Sequence, residues 1–240
     1  MSVRENLERV RERIRAAAAH AGRAPDSVGL IAVSKFQNVA AIREAYAAGQ
    51  RDFGENYVQE LCAKAEELAE LGDLRWHFIG HLQRNKAKKV APLAHAVHSV
   101  DSLELVTELA KRAEAARAER TRRFAEAGAR LDVLIEVSIA GEEQKSGAPL
   151  DEVPNLVDAV EREPALRLRG LMCVPPQSER AEDARPFFDA LARLRESLGG
   201  AARLPELSMG MTADLEQAIF AGASLVRVGT AIFGERPQRA

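Results

Sequence analysis

The sequence predicts an α/β protein built as a closed (β/α)8 barrel, one domain over residues 1–240 with an extra helix in front. Three observations carry that reading. Eight short apolar runs alternate with helical segments from residue 29 onward, the rhythm of parallel strands joined by right-handed crossovers. A length of 240 residues is what one closed barrel of such units commonly fills. No G-x-G-x-x-G turn follows the first run, as an open dinucleotide-binding sheet would usually show.

The elements follow in order. Val3, Leu7, Val10 and Ile14 form one apolar stripe, so the chain opens with a helix. Ser2 with Glu5 fits a capping box, and Gly22 then Pro25 fit the stop. GLIAVSK reads as the first strand, and 39–48 as a helix closed by Gly49. RDFGEN is a strand, and 57–71 is a helix with Val58, Leu61, Ala65 and Leu68 on one face. RWHFIG is followed by a short basic helix near 83–91. AVHSVD is followed by one long helix from 103 to about 127, closed by Gly128. LDVLIEVSI is the strongest strand signal. The loop AGEEQKSGAP leads from it to a helix over 150–161. LRLRGLMCV, a helix over 180–198, ELSMG and a helix over 213–221 complete the alternation, and LVRVGTAIF is the last strand.

Composition narrows the function. Apolar residues make up 46% and charged residues 29%, the balance of a soluble globular protein. A net charge of −2 supplies no basic field for nucleic acid. Aromatics at 5% are too few for a base-stacking surface. The basic run HLQRNKAKKV lacks interleaved aromatics and reads as a solvated helix face. Cys62 and Cys173 form no disulfide framework and no zinc spacing, so reduced thiols are expected. The N-terminus is charged throughout and no run is long and apolar enough for a membrane helix. A cytoplasmic, unprocessed protein is the expectation.

In a parallel barrel the chemistry sits at the C-terminal ends of the strands. Those ends carry Lys35, then Glu55 and Asn56, Gly80 and His81, Ser99 and Asp101, and Ser138. The later strands end at Met172 and Cys173, at Ser208 and Gly210, and at Arg227, Gly229 and Thr230. Lys35 either snorkels into water at a strand end or delivers an amine into a pocket. Lysine is the rarer cation here, seven of the 34 basic residues, so its placement carries information. The last two loops read SMGMT and RVGT. They are either ordinary turns or a phosphate cradle of backbone N–H and hydroxyl donors, helped by the helix start near 213. Closure sets the last strand beside the first, which brings Lys35 to the Gly229 region and near Ser208. An amine and a phosphate site are then one small aromatic molecule apart. Pyridoxal phosphate has the matching parts: an aldehyde, a phosphate, and a pyridine nitrogen for Arg227.

Seven segments together resemble the pyridoxal phosphate homeostasis proteins, the single-domain relatives of the alanine racemase barrel. They are AVSK at 32–35, FGENYVQE at 53–60, WHFIGHLQRNK at 76–86, KSG at 145–147, RGLM at 169–172, LSMGMT at 207–212 and VRVGTAIFG at 226–234. The resemblance spans nearly the whole chain. It implies a TIM barrel of the alanine racemase N-terminal type. It also implies that Lys35 forms the internal aldimine, that Ser208, Gly229 and Thr230 hold the phosphate with the Gly210 loop, that Arg227 faces the pyridine nitrogen, and that Asn56 lies beside the ring. His81 matches a family motif as either a site residue or a hydrogen-bonded structural histidine. Lys145 is either a solvated loop lysine or one that touches cofactor in transit. Many relatives carry a second lysine soon after the aldimine lysine; here Gln37 and Asn38 stand there.

The parts favour holding the cofactor over turning over an amino acid. An arginine partner disfavours protonating the pyridine nitrogen, which weakens the ring as an electron sink. Two-domain racemases of the related fold supply a tyrosine base from the second domain. This chain ends at RPQRA soon after the last strand and has only Tyr46 and Tyr57. The expected function is therefore pyridoxal phosphate homeostasis, with a low-efficiency amino-acid racemase and a cofactor-free Schiff-base aldolase as the alternatives. The expected partners are the cofactor and recipient pyridoxal phosphate-dependent apoenzymes, with neither nucleic acid nor membrane, and the family resemblance implies a monomer.

Overall fold

The computed structural model describes residues 1–125, 129–141 and 146–234. Its centre is a closed barrel of eight parallel strands in sequence order, β1 through β8. The strands are β1 Gly29–Val33, β2 Asp52–Glu55, β3 Arg75–Phe78, β4 Ala96–Val100, β5 Leu131–Glu136, β6 Leu166–Met172, β7 Glu206–Ser208 and β8 Leu225–Val228. The barrel closes through β1 and β8, paired from Gly29↔Leu225 to Ala32↔Val228. This is the predicted architecture.

The preceding helix is α1, Val3–His20, with Leu7, Val10 and Ile14 buried. Its capping box is present: Glu5 N–H donates to Ser2 Oγ at 3.2 Å and Ser2 N–H to Glu5 Oε2 at 2.9 Å. The crossover helices are α2 Val39–Ala47, α3 Val58–Glu67, α4 Ala87–Val90, α5 Leu103–Ala115, α6 Arg117–Phe124, α7 Val153–Glu161, α8 Arg185–Ser197, α9 Gly200–Arg203 and α10 Leu215–Phe220. A last short helix, α11, spans Thr230–Phe233.

Two predicted elements are corrected. The single helix over 103–127 is two, α5 and α6, broken at Ala116. The break lets α6 turn Arg120 inward, where it is fully buried. Its guanidinium donates to the carbonyls of Ala91 and Ala94 at 2.6 Å each and of Arg130 at 3.0 Å. These bonds satisfy carbonyls that end one element and start another. The expected stop at Gly128 lies outside the described residues. The final run LVRVGTAIF is not one strand: β8 ends at Val228 and TAIF is helical. Ile232 N–H and Phe233 N–H both donate to the Gly229 carbonyl at 2.9 Å. Ile232 is fully buried, and α11 packs on α1. A short apolar run does not by its period distinguish strand from buried helix.

Candidate functional site

Lys35 stands in the first turn after β1. Gln37 N–H donates to the Ser34 carbonyl at 3.0 Å and closes the turn. Phe36 occupies the left-handed region at φ 64°, a conformation that costs energy for a bulky side chain and persists only where surroundings enforce it. Here they do. Phe36 N–H donates to Glu60 Oε2 at 2.7 Å, and its ring lies 5.1 Å from that of Tyr57. Behind the turn, Lys64 Nζ donates to the Ser34 carbonyl at 2.8 Å, to Glu55 Oε1 at 2.7 Å and to Glu60 Oε2 at 2.7 Å. The Ser34 hydroxyl donates to the same Glu55 oxygen at 2.6 Å. The backbone on both sides of Lys35 is thus tied to β2 and α3.

Lys35 lines a cavity of about 360 Å³ at the C-terminal mouth, together with Asn56, Thr212, Arg227, Gly229 and Thr230. Five of the seven predicted site residues therefore meet in one space: Lys35, Asn56, Arg227, Gly229 and Thr230. Gly229 crowds the first strand, since a Cβ there would lie 3.1 Å from the Val33 carbonyl oxygen. Glycine permits that close approach. Asn56 Oδ1 is buried and has no hydrogen-bond partner among the described residues. An orphaned buried acceptor of this kind calls for a donor from outside the protein.

Ser208 and Gly210 do not line the cavity. Ser208 is fully buried and pairs with Leu225 across β7 and β8, which sets it lower in the barrel than Gly229. Its hydroxyl bonds His98 and Arg227. Gly210 adopts φ +93°, and a Cβ there would fall 2.5 Å from the Ala218 Cβ. It lets α10 close on β7 and shapes the loop that follows. That loop puts Thr212 on the cavity wall, with Met211 N–H held by Asp214 Oδ1 at 2.6 Å. Thr212 belongs to the SMGMT loop, whose hydroxyls the sequence marks as a candidate cradle, although the residues named from that loop are Ser208 and Gly210.

Arg227 is almost fully buried. Nη1 donates to the Ser208 carbonyl at 2.5 Å and to Ser208 Oγ at 2.8 Å, and Nη2 donates to the Cys173 carbonyl at 2.9 Å. Nε makes no such bond among the described residues, so it and the second Nη2 N–H remain available as donors. Burial pushes the Cys173 thiol up to about 12, so it is a neutral packing group rather than a nucleophile.

His81 faces elsewhere. Its Nδ1 lies 3.6 Å from Asp101 Oδ2, and it lines an adjoining cavity of about 210 Å³ with Glu136. Glu136 accepts from the Ser146 hydroxyl at 2.8 Å, and burial raises its pKa. Asn56 belongs to both cavities. Lys145 lies outside the described residues.

Comparison with known proteins gives one consistent result. Residues 6–237 match the family model of the alanine racemase N-terminal domain. The pyridoxal phosphate homeostasis protein of Pseudomonas aeruginosa is 47% identical, over 98% of this chain and 96% of that one. That of Escherichia coli K12 is 45% identical, over 98% and 97%. The structure of PipY from Synechococcus elongatus with PLP bound superposes at a TM-score of 0.78 and 36% identity, covering 97% of this chain and all of that one.

Proposed function

The chain belongs to the pyridoxal phosphate homeostasis protein family, and on that premise we propose that it binds pyridoxal phosphate at Lys35 and buffers, stores or delivers it. The observation that carries the proposal is the composition of the mouth cavity. It gathers an amine, a guanidinium, backbone and hydroxyl donors, and an orphaned acceptor around about 360 Å³. These residues fit the cofactor group by group. Lys35 would hold its aldehyde carbon, Arg227 Nε its pyridine nitrogen, and Asn56 Oδ1 its phenolic hydroxyl. Gly229, Thr230 and Thr212 would hold the phosphate. When bound, the cofactor supplies an aldehyde that condenses reversibly with a primary amine.

The same residues support holding over turnover. Arg227 can only donate, so it does not share a proton with the pyridine nitrogen as a carboxylate would. Tyr57 packs on Phe36 and Tyr46 donates to Asp73, so neither is turned to the cavity. No described helix is long and apolar enough to cross a membrane. We take the whole chain, residues 1–240, as one domain that works as a monomer in the cytoplasm.

The test is the absorbance spectrum of the purified protein, followed by borohydride reduction and peptide mass analysis. A yellow protein with the cofactor mass on the Lys35 peptide, lost in Lys35→Ala, is the expected result. A colourless protein that stays unmodified after added pyridoxal phosphate overturns the proposal. A D-amino-acid assay against the same variant tests turnover, and a clear Lys35-dependent rate overturns the non-catalytic reading.

A further inference from the structure

The barrel interior carries an unbroken hydrogen-bonded chain behind Arg227. Arg227 Nη1 lies 2.8 Å from Ser208 Oγ, and Ser208 Oγ lies 2.9 Å from His98 Nδ1. His98 Nε2 is 2.9 Å from His77 Nδ1, and His77 Nε2 is 2.9 Å from Asp52 Oδ1. Asp52 is held in turn by Arg75, at 2.7 Å from Nε and 2.6 Å from Nη2. The chain runs through β8, β7, β4, β3 and β2, from the mouth cavity to the opposite end of the barrel. Such an interior is ordinarily filled by branched apolar side chains. Here Ser208 and His98 are fully buried, and His77 is 6% and Arg227 4% exposed. Polar groups buried this deeply are tolerated only when bonded.

Donor accounting gives the chain a direction. Arginine has no acceptor, so Ser208 Oγ accepts from Arg227. The Ser208 proton then goes to His98 Nδ1, which has to be bare. His98 carries its proton on Nε2 and donates it to His77 Nδ1. His77 carries its proton on Nε2 and donates it to the Asp52 carboxylate. The reverse direction would leave the Ser208 proton with no acceptor among the described residues. Burial holds His98 well below its ordinary pKa, in keeping with a neutral ring.

We propose that Ser208, His98, His77 and Asp52 form one oriented relay that positions Arg227, fixing the guanidinium so that Nε meets the cofactor's pyridine nitrogen. The proposal rests on the pyridoxal phosphate reading for what Arg227 meets. It makes these four positioning residues, with no contact to the cofactor themselves. It also reassigns Ser208 from phosphate ligand to support of Arg227.

The experiment has two parts. In the native protein without added cofactor, nitrogen-15 NMR of labelled histidine reads the tautomers. Bare Nδ1 and protonated Nε2 on both His77 and His98 are expected, and a protonated Nδ1 on His98 overturns the relay. The second part compares His98→Leu with His98→Gln in absorbance titrations with pyridoxal phosphate. Leucine offers neither donor nor acceptor, and binding about tenfold weaker with a displaced absorbance maximum is expected from one lost charge-assisted contact. Glutamine offers both and restores most of the affinity and the native maximum. Native affinity and spectrum in His98→Leu overturn the positioning role while leaving the cofactor reading intact. A native protein that takes up no pyridoxal phosphate overturns that reading and the positioning role with it, while the tautomers still report the relay.

Discussion

Two buried polar networks reach the same cavity from different strands, and their electrostatic plans differ. The network behind Lys35 concentrates charge. One ammonium, Lys64, sits between two carboxylates, with its side chain 8% exposed and that of Glu55 fully buried. The network behind Arg227 separates charge. A guanidinium stands at one end, a carboxylate at the other, and a hydroxyl and two imidazoles lie between. The first fixes main chain, since its targets are the Ser34 carbonyl and the Phe36 N–H. The second fixes one side chain. A turn with a left-handed Phe36 needs strong, short-range restraint, and only charged partners supply it in so small a space. A planar guanidinium needs direction, and a file of hydroxyl and imidazole groups supplies that.

The dense plan leaves a residue of frustration. Glu55 Oε2 is buried with no hydrogen-bond partner among the described residues. Burial raises the Glu55 pKa despite the opposing ammonium of Lys64. The largest effect is therefore expected where that ammonium is removed. Lys64→Met leaves two carboxylates facing each other and should cost about 3–5 kcal/mol, as breaking a buried ion pair does. It should also release the Phe36 turn, so borohydride should fix less cofactor on Lys35. Urea denaturation and peptide mass analysis check the two effects separately. Native stability in the variant would mean that the clamp holds nothing.

The sparse plan predicts a smaller and more divisible effect. Asp52 is pushed up by burial, but hydrogen bonds from Arg75 and His77 outweigh this and hold it well below the ordinary carboxylate range. A depressed folded-state pKa contributes stability that is present above the unfolded value, near about 4, and lost as pH falls below it. Asp52→Asn keeps an acceptor for His77 but loses the charge. It should cost about 1–2 kcal/mol at pH 7, with the gap to native closing as pH approaches 3. Because the relay keeps its direction, the spectrum of bound cofactor should not move. Denaturation midpoints at the two pH values, beside one spectrum, check this. A displaced spectrum would show that the Asp52 charge, and not only its acceptor, reaches Arg227.

The comparison also explains what could be read from residues alone. Alternation and length were enough for the barrel, because parallel strands and crossovers impose that rhythm. That Lys35, Arg227 and Gly229 meet at one cavity was legible because closure of any barrel brings the last strand to the first. Ser208 lies deeper than a list of strand ends places it, below the residues that line the cavity. Strand stagger is set by the closed barrel's shear, and a list of strand ends does not contain it. Lys64 left a trace that went unused: it lies three residues after Leu61, within the buried stripe of α3, where a solvated lysine does not belong. His77 and His98 left another, as polar residues in the middle of strands. The Phe36 turn left none, since its left-handed φ comes from tertiary contacts.

Glu136 belongs to neither network and gives the smallest and most delicate test. It is a buried carboxyl whose hydrogen bond comes from the Ser146 hydroxyl. Burial raises its pKa, and nearby Asp101 raises it further, against the opposing pull of Arg227 and His81. A carboxyl whose folded pKa is raised binds its proton more tightly when folded. The protein therefore loses stability as pH climbs from the unfolded value, about 4, through the folded one, and the loss then levels off. Glu136→Gln removes that loss. It should be more stable than native by under about 1 kcal/mol at pH 8 and no more stable at pH 4. Denaturant midpoints across that range check it, and parallel profiles would show that Glu136 does not titrate upward. A gain at pH 8 would extend the lesson of the two networks. A buried charge with a dedicated counter-charge that holds its pKa down, like Asp52 with Arg75, serves the fold; one without such a partner among the described residues, like Glu136, is held at a cost to stability.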